Sequence, residues 1–209
     1  RGGLHNRVTV RIPLAPFTLK ECELYAKERG LKLSRYQILN LYMVMGGVAL
    51  YWSLLDKQYS AVQNIDQLFF NKDAKLQGEF NDLYDSLFKH PEAYKSIIVA
   101  LGKHLSGLTR QELLKYTAQA DNGVFSDRLE ELEECGFIMK MRAFTKSKKE
   151  AIYKLCDNYT IFYFKYIKSN AGIKDFWTKN FKSQSIKSWS GFSFERVCLQ
   201  HISHIKKAI

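Results

Sequence analysis

Lys140, Arg142, Lys146, Lys148 and Lys149 fall within residues 137–149, a stretch that holds no carboxylate. Fixed cations packed this closely suit phosphate oxygens, which they can position against without reading a base sequence. Three other sets of residues could do chemistry. Arg7 stands just before an alternating stretch, where a guanidinium could stabilise charge on a phosphoryl group. Glu195 is a lone carboxylate in a basic segment. Cys198, His201 and His204 carry metal-ligating atoms, but spacings of three drift around a helix and no fourth ligand is in place, so core or solvated histidines are the expected reading. No metal site is expected.

The cations at 140–149 need a hairpin to present them. Phe137, Met139 and Met141 alternate before the basic tip, and Ile152, Tyr153 and Leu155 return after it. Alternation with period two predicts strands. Before the hairpin the sequence predicts helices at about 92–105, 110–118 and 123–135, the last turning inward on Val124, Leu129, Leu132 and Cys135 and stopping at Gly136. Three helices followed by a two-stranded wing is the winged-helix version of the helix-turn-helix. Its third helix can lie in a major groove while the wing touches the adjacent backbone. Arg128 is the single base of that helix, against Glu130, Glu131, Glu133 and Glu134. Two readings therefore stand: a DNA-binding module using Arg128 and the five wing cations, or a winged helix that packs against protein with a merely solvated wing.

Earlier in the chain, "TLKE" (18–21), "SRYQ" (34–37), "SAVQ" (60–63) and "TRQE" (109–112) each place a hydroxyl three residues before Glu or Gln, the spacing of a capping box. Gly30, Gly46 and Gly136 stand where helices should stop, and Leu76, Phe80, Leu83 and Leu87 predict one helix over 76–89. Residues 7–14 alternate as a strand. The fold class is mainly α. The run "YTIFYFKYIKSN" (159–170) could stack on bases, but a buried connecting helix fits its nearly continuous aromatics better.

The 209 residues carry a formal net charge of +11, and residues 161–209 hold nine basic and two acidic side chains. That balance is what a polyanionic partner such as nucleic acid would need, although many small domains are basic without one. Cys22, Cys135, Cys156 and Cys198 form no C-x-x-C pair or disulfide framework, which suits reduced thiols in the cytoplasm. The apolar run 41–55 is too short to span a membrane and is interrupted by Gly46-Gly47. Both ends read as interior sequence, so a piece of a longer protein is expected.

In linear order, "GLHNRVTVRIPLAPFTLKE" (3–21), "YMVMGGVALYWSLL" (42–55), "QNIDQLFF" (63–70), "EFNDLYDSLF" (79–88), "LTRQE" (108–112), "LEELEECGFI" (129–138), "YKLCDNYTIFY" (153–163) and "WSGFSFERVCLQHISHIKKAI" (189–209) resemble the prokaryotic, archaeal-type AAA-family P-loop ATPases. The resemblance covers nearly the whole chain. It departs at Ala49, where the family commonly has proline. It implies the last strand region of an ATPase core at 1–17, a helical lid domain at 18–90, a winged helix at 91–157, and a linker helix with the start of a restriction-endonuclease-like domain at 158–209. It also implies that Arg7 could act as an arginine finger on a neighbouring subunit's nucleotide, with strand-end capping as the plainer role. Glu195 matches an early acidic residue of the nuclease-like domain, though alone it reads as an ordinary helix residue. ATP and Mg2+ would belong to the full-length parent, because the chain holds no G-x-x-x-x-G-K-[ST] run. The fragment itself is expected to bind no cofactor. The alternative is a free-standing winged-helix regulator or protein-interaction module.

Overall fold

The computed structural model describes residues 14–141 and 151–208. The expected strand at 7–14, but for its last residue, and Arg7 lie outside these residues, as do Arg142, Lys146, Lys148 and Lys149.

Helices begin where a side chain can replace a missing backbone partner. Thr18, Ser34, Ser60 and Thr109 accept from the amide three residues on, and Glu21, Gln37, Gln63 and Glu112 return a bond to the cap's own amide. Caps of this kind contribute about 0.5–2 kcal/mol each. They open α1 (Leu19–Glu28), α2 (Arg35–Met45), α4 (Ala61–Ile65) and α7 (Arg110–Thr117). Between α2 and α4 lies the short α3 (Ala49–Ser53). Gly46 and Gly47 join α2 to α3 for a steric reason. Phe17 N–H donates to the Gly47 carbonyl at 2.8 Å, and a Cβ on Gly47 would run into the Phe17 backbone.

A π-helical turn at Asp66–Phe70 continues α4. The next helix is shorter than its apolar spacing predicts. It is α5 (Glu79–Leu87), not 76–89. Leu76 N–H donates to the Leu68 carbonyl, and its side chain joins a different core from that of Phe80 and Tyr84. One apolar series thus straddles a junction between two packing units.

The following segment contains α6 (Pro91–Lys103), β1 (Leu108–Thr109), α7, α8 (Gly123–Glu134), β2 (Ile138–Met141) and β3 (Ile152–Leu155). The strands form one antiparallel sheet in the order β1–β3–β2, with Ile138 opposite Leu155 and Met141 opposite Ile152. Leu108 pairs with Tyr153, so the sheet has three strands where the sequence pattern shows a hairpin. Gly107 permits this pairing: at φ 99°, a Cβ there would meet the Ile152 and Lys154 side chains. The inward face of α8 also differs from expectation. Phe125, Leu129 and Leu132 are buried, whereas Val124 and Cys135 are exposed. Phe125 is drawn inward beneath the Arg110 guanidinium, 5.0 Å from its ring centre.

The chain ends in α9 (Asn158–Phe162), a second π-helical turn at Tyr163–Ile167, α10 (Lys168–Asn170), α11 (Phe176–Asn180), α12 (Gln184–Gln200) and α13 (Ile202–Ala208). The described chain is mainly helical. It has two apolar cores, one built on α1–α4 together with α9, α11 and α12, the other on α5–α8 and the sheet. The stretch 158–167 enters both. Tyr159, Phe162 and Tyr166 join the first core, and Ile161 joins the second. Tyr163 stacks on Phe80 with ring centres 4.2 Å apart, and the buried Tyr84 and Thr160 hydroxyls are 3.2 Å apart. Burying an aromatic side chain contributes about 1.5–3 kcal/mol, so this stretch fastens each core to the other. Its aromatics pack inside the protein. Among the described residues no helix is long and apolar enough to cross a membrane.

Candidate functional site

The turn between α7 and α8 is held by charge and ring packing. Arg110 donates to the Asp121 carboxylate at 2.9 and 2.7 Å and to the Asn122 carbonyl at 3.2 Å. Asn122 caps α8 by accepting from Phe125 N–H. Ala118, at φ 52°, closes α7 in the left-handed region. These contacts fix the direction in which α8 leaves the turn.

That direction turns Arg128 toward the protein. Its Nη1 donates to Gln119 Oε1 at 2.6 Å, and its guanidinium lies 6.0 Å from the Tyr94 ring centre. Gln119 in turn donates to the Ala93 carbonyl and to Ser96 Oγ, both at 2.9 Å. The only base of α8 therefore ties the helix to α6. Its acids face solvent: Asp127, Glu130 and Glu134 are exposed. Glu131 accepts a short hydrogen bond from the Tyr94 hydroxyl. Burial, and then that bond, push the Tyr94 phenol up to about 12. Glu133 accepts from the Lys140 backbone amide at 3.0 Å, which fastens the start of the hairpin to the end of α8.

Lys140 is exposed on β2, its ammonium 5.6 Å from the Tyr153 ring centre. Lys140 and Arg128 are the two expected nucleic-acid contacts within the described residues, and their head groups meet different partners, Tyr153 for one and Gln119 and Tyr94 for the other. Arg128 faces α6, and Lys140 stands on the sheet.

The sequence pattern does not show what surrounds the hairpin. A groove of about 660 Å3 separates the sheet from α12, with Met139, Met141 and Lys154 on one wall and Phe192, Arg196 and Leu199 on the other. Arg196 is anchored from behind: its Nε donates to Asn158 Oδ1 at 2.7 Å, and Asn158 Nδ2 donates to the Tyr42 carbonyl. Burial lowers the Arg196 pKa and raises that of the Asp157 carboxyl. Asp157 caps α9 by accepting from Thr160 N–H. The two walls lie more than thirty residues apart in sequence, so no local pattern reveals the groove. The heptad-like placing of Trp189, Phe192, Arg196 and Leu199 on α12 is the one signal available.

The remaining candidates have structural occupations. His201 uses both ring nitrogens: Nε2 accepts from Leu19 N–H at 3.1 Å, and Nδ1 is 2.9 Å from the Val197 carbonyl. It thereby tethers α12 to α1. Glu195 is exposed on the groove rim. Among the described residues no group of three His, Cys, Asp or Glu is placed to hold a metal ion. At the glycine pair 46–47, the Phe17 backbone lies against Gly47.

A curated archaeal protein aligns with nearly all of this chain. It is an uncharacterized protein of Methanocaldococcus jannaschii, 26% identical over 220 aligned positions, which take in 98% of this chain and 45% of the relative. The chain therefore spans less than half the length of that relative. No family model and no solved structure matches the chain.

Proposed function

We propose that this chain is the C-terminal part of a P-loop AAA-family ATPase, in which residues 18–90 form the lid, with its last helix α5 packed into the core of the α6–β3 unit, α6–β3 form a winged helix, and the two together couple nucleotide state to a partner. The observation that carries the reading is the double packing of residues 158–167, which gives the lid core and the α6–β3 unit one shared wall. A lid that shifts with nucleotide would drag the sheet and α8 with it, since packed cores pass on displacement rather than absorb it. The order of helices and strands from Pro91 to Leu155, and the eight segments that carry the resemblance, support the same assignment. ATP and Mg2+ would be held by the parent's phosphate-binding loop, other subunits of the same ATPase would be Arg7's counterpart, and the protein would work in the cytoplasm.

The acidic outer side of α8 narrows the partner. Carboxylates at Asp127, Glu130 and Glu134 oppose insertion between phosphate backbones. Duplex contact would fall to Lys140 and to the cations at 142–149, as backbone positioning only. If all five wing cations met phosphates, log Kobs would fall with log salt at a slope of about −4 to −5. The second reading, a free-standing winged-helix regulator, is favoured by the net charge of +11. The experiment is ATP hydrolysis by the full-length gene product, together with duplex binding at two salt concentrations. A phosphate-binding loop upstream of Arg1, with hydrolysis lost on replacing its lysine, upholds the ATPase. Absence of such a loop, with sequence-specific duplex binding that survives competitor, upholds the regulator.

A further inference from the structure

A second cleft, of about 480 Å3, opens on the opposite side of α12 from the groove, between α2 and the α11–α12 turn. Its floor is apolar and already packed: Trp177, Ile186 and Trp189 are buried in the first core. Its walls are aromatic and open, with Tyr36 71% exposed and Phe181 38% exposed. Its rim is cationic. Lys182 lies 5.5 Å from the Phe181 ring centre, Lys187 stands one turn into α12, and among the described residues no Asp or Glu lines the cleft. Gln37 and Asn40 also line the cleft, the Gln37 amide oxygen accepting from Ser34 N–H. The indole N–H of Trp189, which also lines the cleft, meets no acceptor among the described residues.

Exposed rings flanked by lysines form a set of partners for unpaired bases and their phosphates. A duplex keeps its base faces stacked inside and offers nothing to Tyr36 or Phe181. An acidic helix would find the floor already covered by the protein's own core. The nine-to-two excess of basic over acidic residues in 161–209 supplies the long-range attraction that a polyanion needs. We propose that this cleft binds single-stranded nucleic acid, with Tyr36 and Phe181 stacking on unpaired bases and Lys182 and Lys187 taking phosphates. The inference rests on the cleft and on no part of the ATPase reading.

The test is fluorescence anisotropy of a labelled oligothymidylate titrated with the chain, beside a labelled mixed-sequence duplex and thymidine monophosphate as competitor. Stacking is worth about 1–3 kcal/mol per base, so Tyr36→Ala is expected to weaken oligothymidylate binding about 5- to 150-fold. Lys182→Glu with Lys187→Glu is expected to make the salt slope shallower by about 1.4, from roughly 0.7 per phosphate lost. Lys140→Glu, on the hairpin, should leave oligothymidylate affinity unchanged, which separates this site from any duplex contact of the wing. All these positions are exposed, and circular dichroism will confirm the fold of each variant. The proposal is overturned by the absence of oligothymidylate binding, by equal affinity in Tyr36→Ala and the double lysine variant, by tighter binding to the duplex, or by competition at equal concentration from the monophosphate, which would make the cleft a mononucleotide site.

Discussion

Asp66→Asn tests how the C-terminal helices are attached to the first core. The Asp66 carboxylate is buried and accepts three hydrogen bonds from residues over a hundred positions away. Oδ1 takes Trp177 N–H at 2.7 Å, and Oδ2 takes Thr178 N–H at 2.9 Å and the Thr178 hydroxyl at 2.6 Å. Asparagine has the same shape, so no cavity arises. It can keep its carbonyl toward Thr178 only by turning an NH2 group against the Trp177 amide, leaving that buried donor unpaired. Hydrogen bonds to a charged group are worth about 1.5–3 kcal/mol, and an orphaned buried amide costs about 1–3 kcal/mol. The expected loss is about 2–4 kcal/mol, or a fall in Tm of about 4–16 °C for a chain of this size. Urea and thermal denaturation measure it, and hydrogen exchange at the Trp177 and Thr178 amides locates it. A loss under about 0.5 kcal/mol, with those amides still protected, would refute the attachment described here.

Gly47→Ala forces a Cβ into the Phe17 backbone and is expected to cost upward of about 2 kcal/mol in urea denaturation, far more than Gly191→Ala, where open space awaits. Arg128→Ala removes the Gln119 bond and the Tyr94 contact and should lower stability by about 1–3 kcal/mol while leaving duplex affinity, measured by anisotropy, unchanged. Thr109→Ala should cost about 1 kcal/mol through loss of the α7 cap. The partner of that cap gives a pH dependence. Thr109's backbone amide and then its hydroxyl hold the Glu112 carboxyl below its ordinary 4.5, so its contribution is complete above 4.5 and is lost as pH falls through the lower folded value. Glu112→Gln keeps the acceptor, and its stability measured against pH should show a flatter acid limb than the parent.

Local signals made the helix starts legible. Each capping box needs only its own four residues, and all four read from the sequence are formed. The α6–α7–α8 order and the pairing of β2 with β3 were legible for the same reason: short connections and clear periods. Apolar spacing failed where two cores meet. Leu76 and Phe80 share a period but serve different cores, and Phe125 rather than Val124 turns inward because Arg110, from another helix, packs over it. Strand β1 is not legible in the sequence because two residues make no pattern, and its place depends on Gly107 lying against β3. The candidate surfaces were less legible. Lys140 was correctly placed in a strand, but Arg128's internal role depends on Gln119 and Tyr94, and the cleft of Tyr36, Phe181 and Lys182 joins residues about 145 positions apart.

The central claim is that nucleotide state reaches the α6–β3 unit through residues 158–167. Hydrogen exchange of the full-length protein with and without ATP and Mg2+ tests it most directly. The account requires altered protection in α1–α5, in residues 158–167, and in α8 with its neighbouring strands. Identical exchange across all three regions, in a protein shown to have bound the nucleotide, would contradict it.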